Sequence, residues 1–378
     1  MRIGFYTTLP NNPWGGSEEL WSQTAAAMLR QGHHVSVNIA NHGISAPRIE
    51  SLRILGADIH SSGRRRFGRQ LRRLFARLGI DLAQHKAWLR RTRPDFVLVS
   101  MSWHLDDLAI ALACASMSIP YAILVQSASP YQWIASRAYE SHRRAFAGAS
   151  ACYFVSAQNR DIVESNLALN LGGAGIVDNA FNVAPDISVP WPAEETWKLA
   201  CVARVDFQSK GQDLLLRVLR QPKWKSRPLQ VTLWGADEGN LRQVKDLIEL
   251  YDLDSAVTVG GFSDDIASVW ATHHGLILPS RYEGNSLAMI EAMICGRIPI
   301  VTDVGRVREL VDDNVSGFIA PAPTAEMLDD ALERAWDCRH EWRAMGELAK
   351  TEIKTRHSMR PAEDFAHSIV GLSERAEH

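Results

Sequence analysis

Cysteine is scarce in this chain and never closely spaced. Five are spread over 378 residues, at Cys114, Cys152, Cys201, Cys295 and Cys338, with no Cys-x-x-Cys pair. They sit mostly in apolar runs, which argues for reduced core thiols and against a disulfide framework. No apolar run approaches the roughly 20 residues of a membrane-spanning helix. An excess of one charge is missing as well: the net charge is −2, which gives no global reason to expect nucleic acid. No Walker-type Gly-x-x-x-x-Gly-Lys-Ser/Thr, no His-Glu-x-x-His and no carboxylate-rich cation loop occurs. Nucleotide hydrolysis and zinc chemistry therefore lack their usual machinery. The opening MRIGFYTT runs straight into a strand pattern, so the expectation is a cytoplasmic protein without a signal peptide.

What is present is alternation. Hydrophobic content of 46% and charged content of 22% are those of a globular protein long enough for two domains. RIGFYTT is followed by a helical pattern at about 18–31 and then VSVNIA; DFVLVS by one at 107–117 and then YAILVQS; ACYFVS by one near 158–169. Between 183 and 197 three prolines and a loss of periodicity mark a linker. The alternation restarts with KLACVARV, QVTLWG, VTVGGF, GLILPS and IPIVTD, with helical patterns near 211–220, 241–253 and 264–272 between them. Short buried strands separated by amphipathic helices predict an α/β fold of two doubly wound parallel-sheet (Rossmann-like) domains, over 1–182 and 198–358. A last helix within 359–378 is expected to pack back on the first domain. Such folds bind ligands beyond the C-terminal ends of their strands, and the cleft between two facing domains is the expected site.

Within NSLAMIEAMICGR, residues 285–297, Glu291 is the only acid. A carboxylate in so apolar a helix is costly unless it is hydrogen-bonded. Eight residues earlier, at the end of the preceding strand, stands Glu283. One acid at a strand-to-helix turn and one inside the helix suit a ligand rich in hydroxyl groups. Arg204 closes the first strand of the second domain and Lys210 follows in RVDFQSKG. Together they would neutralise a diphosphate, although each alone also reads as a solvated cation. Gly284-Asn285-Ser286 lies at a helix N-terminus, where unpaired N–H groups and the helix dipole attract anions; Asn285 or Ser286 reads equally as a plain cap. Gly15-Gly16-Ser17 would offer amides to the same anion, or is a simple tight turn; the full Gly-x-Gly-x-x-Gly fingerprint is absent there.

Arg204, Lys210 and the Glu-x7-Glu pair Glu283 and Glu291 resemble the retaining glycosyltransferases of the two-domain GT-B fold, in particular glycosyltransferase family 4. The block LPSRYEGNSLAMIEAMICGRIPIVTDVGRVRELVDDNVSGFIAP follows that family's pattern over some forty residues, MRIGFYTT…GGSEE resembles its opening and VARVDFQSKG its basic motif. The resemblance implies a nucleotide-diphosphate sugar as co-substrate, UDP first and GDP next, with no cofactor and no metal. It implies that Glu291 accepts hydrogen bonds from ribose and that Glu283 holds hydroxyls of the transferred sugar. Arg204 and Lys210 would bind the diphosphate with the backbone of Gly15, Gly16, Gly284, Asn285, Ser286 and Leu287. The acceptor would be a glycan or a lipid-linked glycan of cell-surface polysaccharide or glycolipid synthesis. A nucleotide-sugar epimerase or phosphorylase of the same architecture, and a non-catalytic sugar-nucleotide-binding scaffold, remain the alternatives.

The chain departs from the family where a histidine often ends a first-domain strand. That strand end reads Ser100, with His104 four residues later, and Gln126 stands where another histidine is common. His104 is read either as a catalytic-site group near the sugar or as a core-edge histidine. Finally, GRRRFGRQLRRLFARLG, residues 63–79, holds seven arginines and no acid. Phe67, Leu71, Leu74, Phe75 and Leu78 fall at helical spacing. The segment reads as a surface helix packed on the first domain or as a peripheral contact with an anionic membrane surface. Nucleic acid is the weaker reading and is not expected, because the aromatics are not interleaved with the arginines as stacking platforms.

Overall fold

The computed structural model describes residues 1–9, 14–40, 44–62, 80–193 and 196–376. The basic stretch 63–79 lies outside them, and the expectation of an amphipathic helix there with it. The chain divides into two compact units, Met1–Ala180 with Arg360–His378, and Phe181–Met359.

The first unit is built on a seven-stranded sheet whose strands are β1 (Arg2–Thr7), β2 (His34–Ala40), β3 (Asp58–Ser62), β4 (Phe96–Met101), β5 (Tyr121–Val125), β6 (Ala151–Phe154) and β7 (Gly175–Ile176). All pairings are parallel, in the order β3-β2-β1-β4-β5-β6-β7. Successive side chains of a strand face opposite sides. Thus Phe96 and Leu98 enter one core, and Val97, Val99 and Met101 enter another. Both faces being covered, the central strands must be apolar throughout, which is why they read as unbroken runs. One face carries the helices Ser17–Arg30 and Pro361–Ala376, the latter placing Phe365, Ala366 and Ile369 in the core, with Phe365 edge-on to Tyr153 at 5.0 Å. The other carries Ile80–Thr92, Ala109–Ser116 and Ser136–Ala147.

The second unit has six parallel strands, β8 (Trp197–Val202), β9 (Leu229–Trp234), β10 (Val257–Gly261), β11 (Gly275–Leu278), β12 (Ile298–Thr302) and β13 (Phe318–Ala320), in the order β10-β9-β8-β11-β12-β13. In both sheets the strand order reverses once, between β1 and β4 and between β8 and β11. Helix-bearing loops diverge there and leave a crevice outside the carboxyl ends of the strands.

The segment read as a linker, 183–197, groups with the second unit where it is described. Three basic side chains hold it. Lys350 Nζ donates to the Ile187 carbonyl at 2.7 Å, Lys354 pairs with Asp186 at 3.1 Å, and Arg297 Nη2 donates to the Pro190 carbonyl. Arg297 is 1% exposed and stacks on Trp191 at 5.1 Å; its remaining hydrogen bonds go to the carbonyls of Trp270, His273, Cys295 and Gly296. No helix among the described residues is long and apolar enough to cross a membrane.

Candidate functional site

The site in the second unit grows from two loops that leave neighbouring strands, because β8 and β11 pair side by side. The first loop carries Arg204 and then a single helical turn, Phe207–Lys210. Asp206 caps that turn: Oδ1 accepts from Gln208 N at 3.0 Å, and Ser209 Oγ donates to the other oxygen. Gly211 closes it at φ +67°, and a Cβ there would collide with the Pro279 carbonyl oxygen. Only glycine lets the basic loop lie this close to the end of β11.

The second loop, Ser280 to Ser286, fastens onto the first. Arg281 N donates to the Ser209 carbonyl at 2.7 Å. Its guanidinium grips Asp213 through two bonds of 2.7 and 2.8 Å and also reaches the Phe207 carbonyl. Two residues on, Glu283 Oε1 accepts from Lys210 Nζ at 2.6 Å and from Ser280 Oγ at 2.8 Å. Lys210 and Glu283, read from the sequence as gripping different parts of one ligand, are here partners of each other. Arg204 is more open: its side chain is 42% exposed, and Nη1 lies 2.8 Å from Glu238 Oε2.

Gly284 and Asn285 are buried, and Ser286 caps the helix Leu287–Ile294, its Oγ accepting from Met289 N at 3.4 Å. The turn is crossed at close range by Gly305, at φ +65°, where a Cβ would strike the Gly284 carbonyl. Leu287 opens the helix half-buried. Two turns in, Glu291 is 4% exposed, and its Oε1 accepts from Asn182 N at 2.9 Å and Asn182 Nδ2 at 3.3 Å. Those donors offset the desolvation of a carboxylate in an apolar helix. Arg204, Lys210, Glu283, Gly284, Asn285, Ser286, Leu287 and Glu291 all therefore belong to the loops and helix at one switch point.

The remaining sequence candidates lie in the first unit. Gly15 and Gly16 open the helix Ser17–Arg30: Glu18 N donates to Gly15 O at 2.9 Å and Glu19 N to Gly16 O at 3.3 Å, and Gly16 takes the N-cap position without positive φ. Among the described residues, the atom nearest the Gly15 Cβ position is Ser17 Oγ at 3.9 Å. His104, three residues beyond β4, is 1% exposed, with Nε2 3.1 Å from the Gln132 carbonyl. Burial pushes its pKa down to about 4, against the opposing pull of that carbonyl, so the ring is neutral at pH 7.

Two acids at the switch point of the first sheet, after β1 and β4, escaped the sequence reading. Glu18 is fully buried, its carboxylate accepting from Thr7 Oγ1 at 2.7 Å, Trp21 Nε1 at 2.9 Å and Ser17 Oγ at 3.3 Å. Desolvation raises its pKa to about 7 in spite of these donors. Asp106 Oδ2 accepts from Thr8 Oγ1, Ser102 Oγ and Trp103 N. The signal for Glu18 was its place, directly after Gly-Gly-Ser on a strand-to-helix turn; Asp106 had none.

Residues 185–352 match the family Glycosyl transferases group 1, and residues 15–168 match the Glycosyl transferase 4-like domain. A glycogen synthase of Marinomonas sp. is 30% identical over 149 residues, covering 39% of this chain and 31% of that protein. One of Rhodopirellula baltica is 27% identical over 191 residues, 47% of this chain and 37% of that protein. The chain thus spans about a third of the length of these curated relatives. Anabaena HepE in complex with UDP superposes with a TM-score of 0.75 at 15% identity, over 98% of this chain and 100% of that one. At such identity the likeness is one of fold, and the fold is the GT-B architecture of two Rossmann-like domains. The chain belongs to the GT-B glycosyltransferases.

Proposed function

We propose that this glycosyltransferase moves a sugar from a nucleotide-diphosphate donor to a glycan or lipid-linked acceptor with retention of anomeric configuration and without a metal ion. The observation that carries the reading is the grouping of Lys210, Glu283, the Gly284–Leu287 turn and Glu291 at the switch point of the second sheet. UDP is the favoured nucleotide, because HepE of the same fold was crystallised with it.

In this reading the diphosphate takes the Lys210 ammonium as its counter-charge, joined by Arg204 and by the backbone N–H groups at the start of the helix Leu287–Ile294. Glu283, relieved of its lysine, accepts from hydroxyls of the transferred sugar. Glu291 accepts from the ribose hydroxyls in place of Asn182. As the bond from the anomeric carbon to the diphosphate breaks, negative charge builds on the leaving oxygen. Fixed cations and amides therefore stabilise the transition state more than the ground state. The acceptor oxygen bonds to the same face of that carbon and its proton passes to the departing phosphate oxygen. His104 would serve as a hydroxyl ligand or proton partner of the sugar. The seven arginines of 63–79 would place the enzyme on an anionic membrane surface at the cytoplasmic side. Arg→Glu changes at Arg65, Arg69 and Arg72 should then abolish sedimentation with anionic liposomes.

The test of the donor reading is a panel of nucleotide sugars. A ligand bound only by the folded state raises the melting temperature, and UDP-hexoses should do so most. The anomeric signal of the product, read by NMR, then reports retention or inversion. A panel in which no nucleotide-diphosphate sugar shifts the melting temperature would overturn the proposal.

A further inference from the structure

Lys210 and Glu283 stand on different loops, beyond the last residues of β8 and β11, Val202 and Leu278. The ladder between those strands joins Gly275 to Leu199 and Leu276 to Ala200 and stops short of both loops. Arg281 bridges the loops instead. Its backbone N–H donates to the Ser209 carbonyl at 2.7 Å. Its guanidinium donates to the Phe207 carbonyl and, as a fork, to the two Asp213 carboxylate oxygens at 2.7 and 2.8 Å. Phe207 and Ser209 lie before Lys210 in the turn Phe207–Lys210, and Asp213 lies after it in the first turn of the helix Gln212–Leu219. Arg281 thus holds the chain on both sides of the lysine. Along its own loop it sits between Glu283 and Ser280, whose carbonyl accepts from Thr302 Oγ1 of β12 at 2.5 Å.

The contact between Lys210 and Glu283 cannot itself set their spacing during turnover, because in the proposed function the donor parts them. The oxygens that Arg281 grips are claimed by no part of the donor in that reading, so its bonds persist while the ligand lies between the two side chains. Two parallel bonds from a planar guanidinium fix an angle as well as a distance. Stability alone gives this clamp little to do. The side chains of Arg281 and Asp213 are 26% and 19% exposed, and a pair that open changes an unfolding constant by about fivefold or less.

We propose that Arg281 is a positioning residue for the transfer reaction. Through Asp213 and the carbonyls of Phe207 and Ser209 it holds the Lys210 ammonium and the Glu283 carboxylate at the separation that a phosphate and a sugar hydroxyl require. It acts through those two side chains, not on the ligand. A misplacement of about 1 Å in such a site costs on the order of a hundredfold in rate, far more than the clamp adds to folding. The effect on turnover rests on the proposed function; the claim that Arg281 sets the spacing of Lys210 and Glu283 does not.

Two measurements on the full chain test it. In the first, denaturant unfolding of the wild type, Lys210→Ala, Glu283→Ala and the double variant gives the coupling of the pair. It should amount to about fivefold in the unfolding constant, and should fall to within about twofold of none when the same cycle is run in Arg281→Gln. No coupling in the wild type, or full coupling in the Arg281→Gln background, overturns the proposal whatever the donor is. In the second, Arg281→Gln should lower kcat on the order of a hundredfold and UDP affinity by a smaller factor, since a mobile lysine still reaches a phosphate. Arg281→Lys, which keeps a charge beside Asp213 without the fork, should regain part of that loss. A folded Arg281→Gln with wild-type kcat confines the residue to stability and refutes the proposal. Should Arg281→Gln not fold, Asp213→Asn opens the same fork from its other side and takes its place in both measurements. Failure of the nucleotide-sugar panel would instead sink the donor reading and leave the unfolding cycle to judge Arg281.

Discussion

The Lys210 ammonium lies 2.6 Å from Glu283 Oε1, with the two side chains 17% and 12% exposed. In the proposed function, a ligand with both phosphate and hydroxyl groups separates this acid and base and takes each as a partner.

Replacing the lysine therefore acts twice. Under the proposed function, Lys210→Ala removes a cation from the leaving group and leaves Glu283 Oε1 with the neutral donor Ser280 Oγ. The expected loss in kcat/KM is about a hundredfold, roughly 3 kcal/mol of transition-state stabilisation. Steady-state kinetics with the donor identified by thermal shift measure it, and a loss below threefold would remove Lys210 from the diphosphate site.

The two acids should fail in different ways. If Glu291 holds the ribose as proposed, Glu291→Ala deletes contacts present in ground and transition states alike, so donor affinity should fall about tenfold, or ~1.4 kcal/mol, with kcat nearly kept. Glu283→Ala should lower kcat more than it raises KM. Calorimetric titration with UDP beside turnover rates separates the two, and the reverse pattern would exchange their roles.

Gly305 tests the backbone of the turn. At φ +65° a side chain is strained, and its Cβ would strike the Gly284 carbonyl. Gly305→Ala is expected to cost about 1–3 kcal/mol of stability. It should also weaken UDP binding, because the displaced carbonyl belongs to the turn proposed to meet the phosphates. Denaturant unfolding and UDP titration read the two effects.

Glu18 gives the first unit a dependence on pH. Its folded pKa of about 7 stands above the ordinary 4.5, chiefly through burial, with the charge of Asp106 adding to the rise. The folded chain thus holds this proton where the unfolded chain has lost it, and stability falls as pH rises between those values. Relative to Glu18→Gln, the wild type should lose on the order of 3 kcal/mol across that window. Melting temperatures of both proteins at pH 5 and pH 8 should diverge at the higher value; parallel profiles would show that Glu18 ionises normally.

The sequence made the central strands plain because both of their faces are buried, so alternation gave way to unbroken apolar runs such as FVLVS and YAILV. β3 escaped notice because DIHSS is a polar edge strand, and β13 because three residues carry no period. Glu291 was legible as a lone acid in an apolar helix, and the Glu-x7-Glu spacing bound it to Glu283. The Arg281–Asp213 clamp was not, since nothing local joins residues 68 apart; only the closeness of β8 and β11 does. Nor did the pairing of Lys210 with Glu283 follow from their separate readings.

Arg297 has one more consequence. Its charge is buried among carbonyl dipoles drawn from three separate stretches, around residues 190, 270–273 and 295–296. Peeling away the proline-rich entry strap would take one dipole from a cation that water cannot easily reach. The strap should accordingly exchange its amide protons at the slow pace of the sheet beneath it, behaving as part of a single unfolding block.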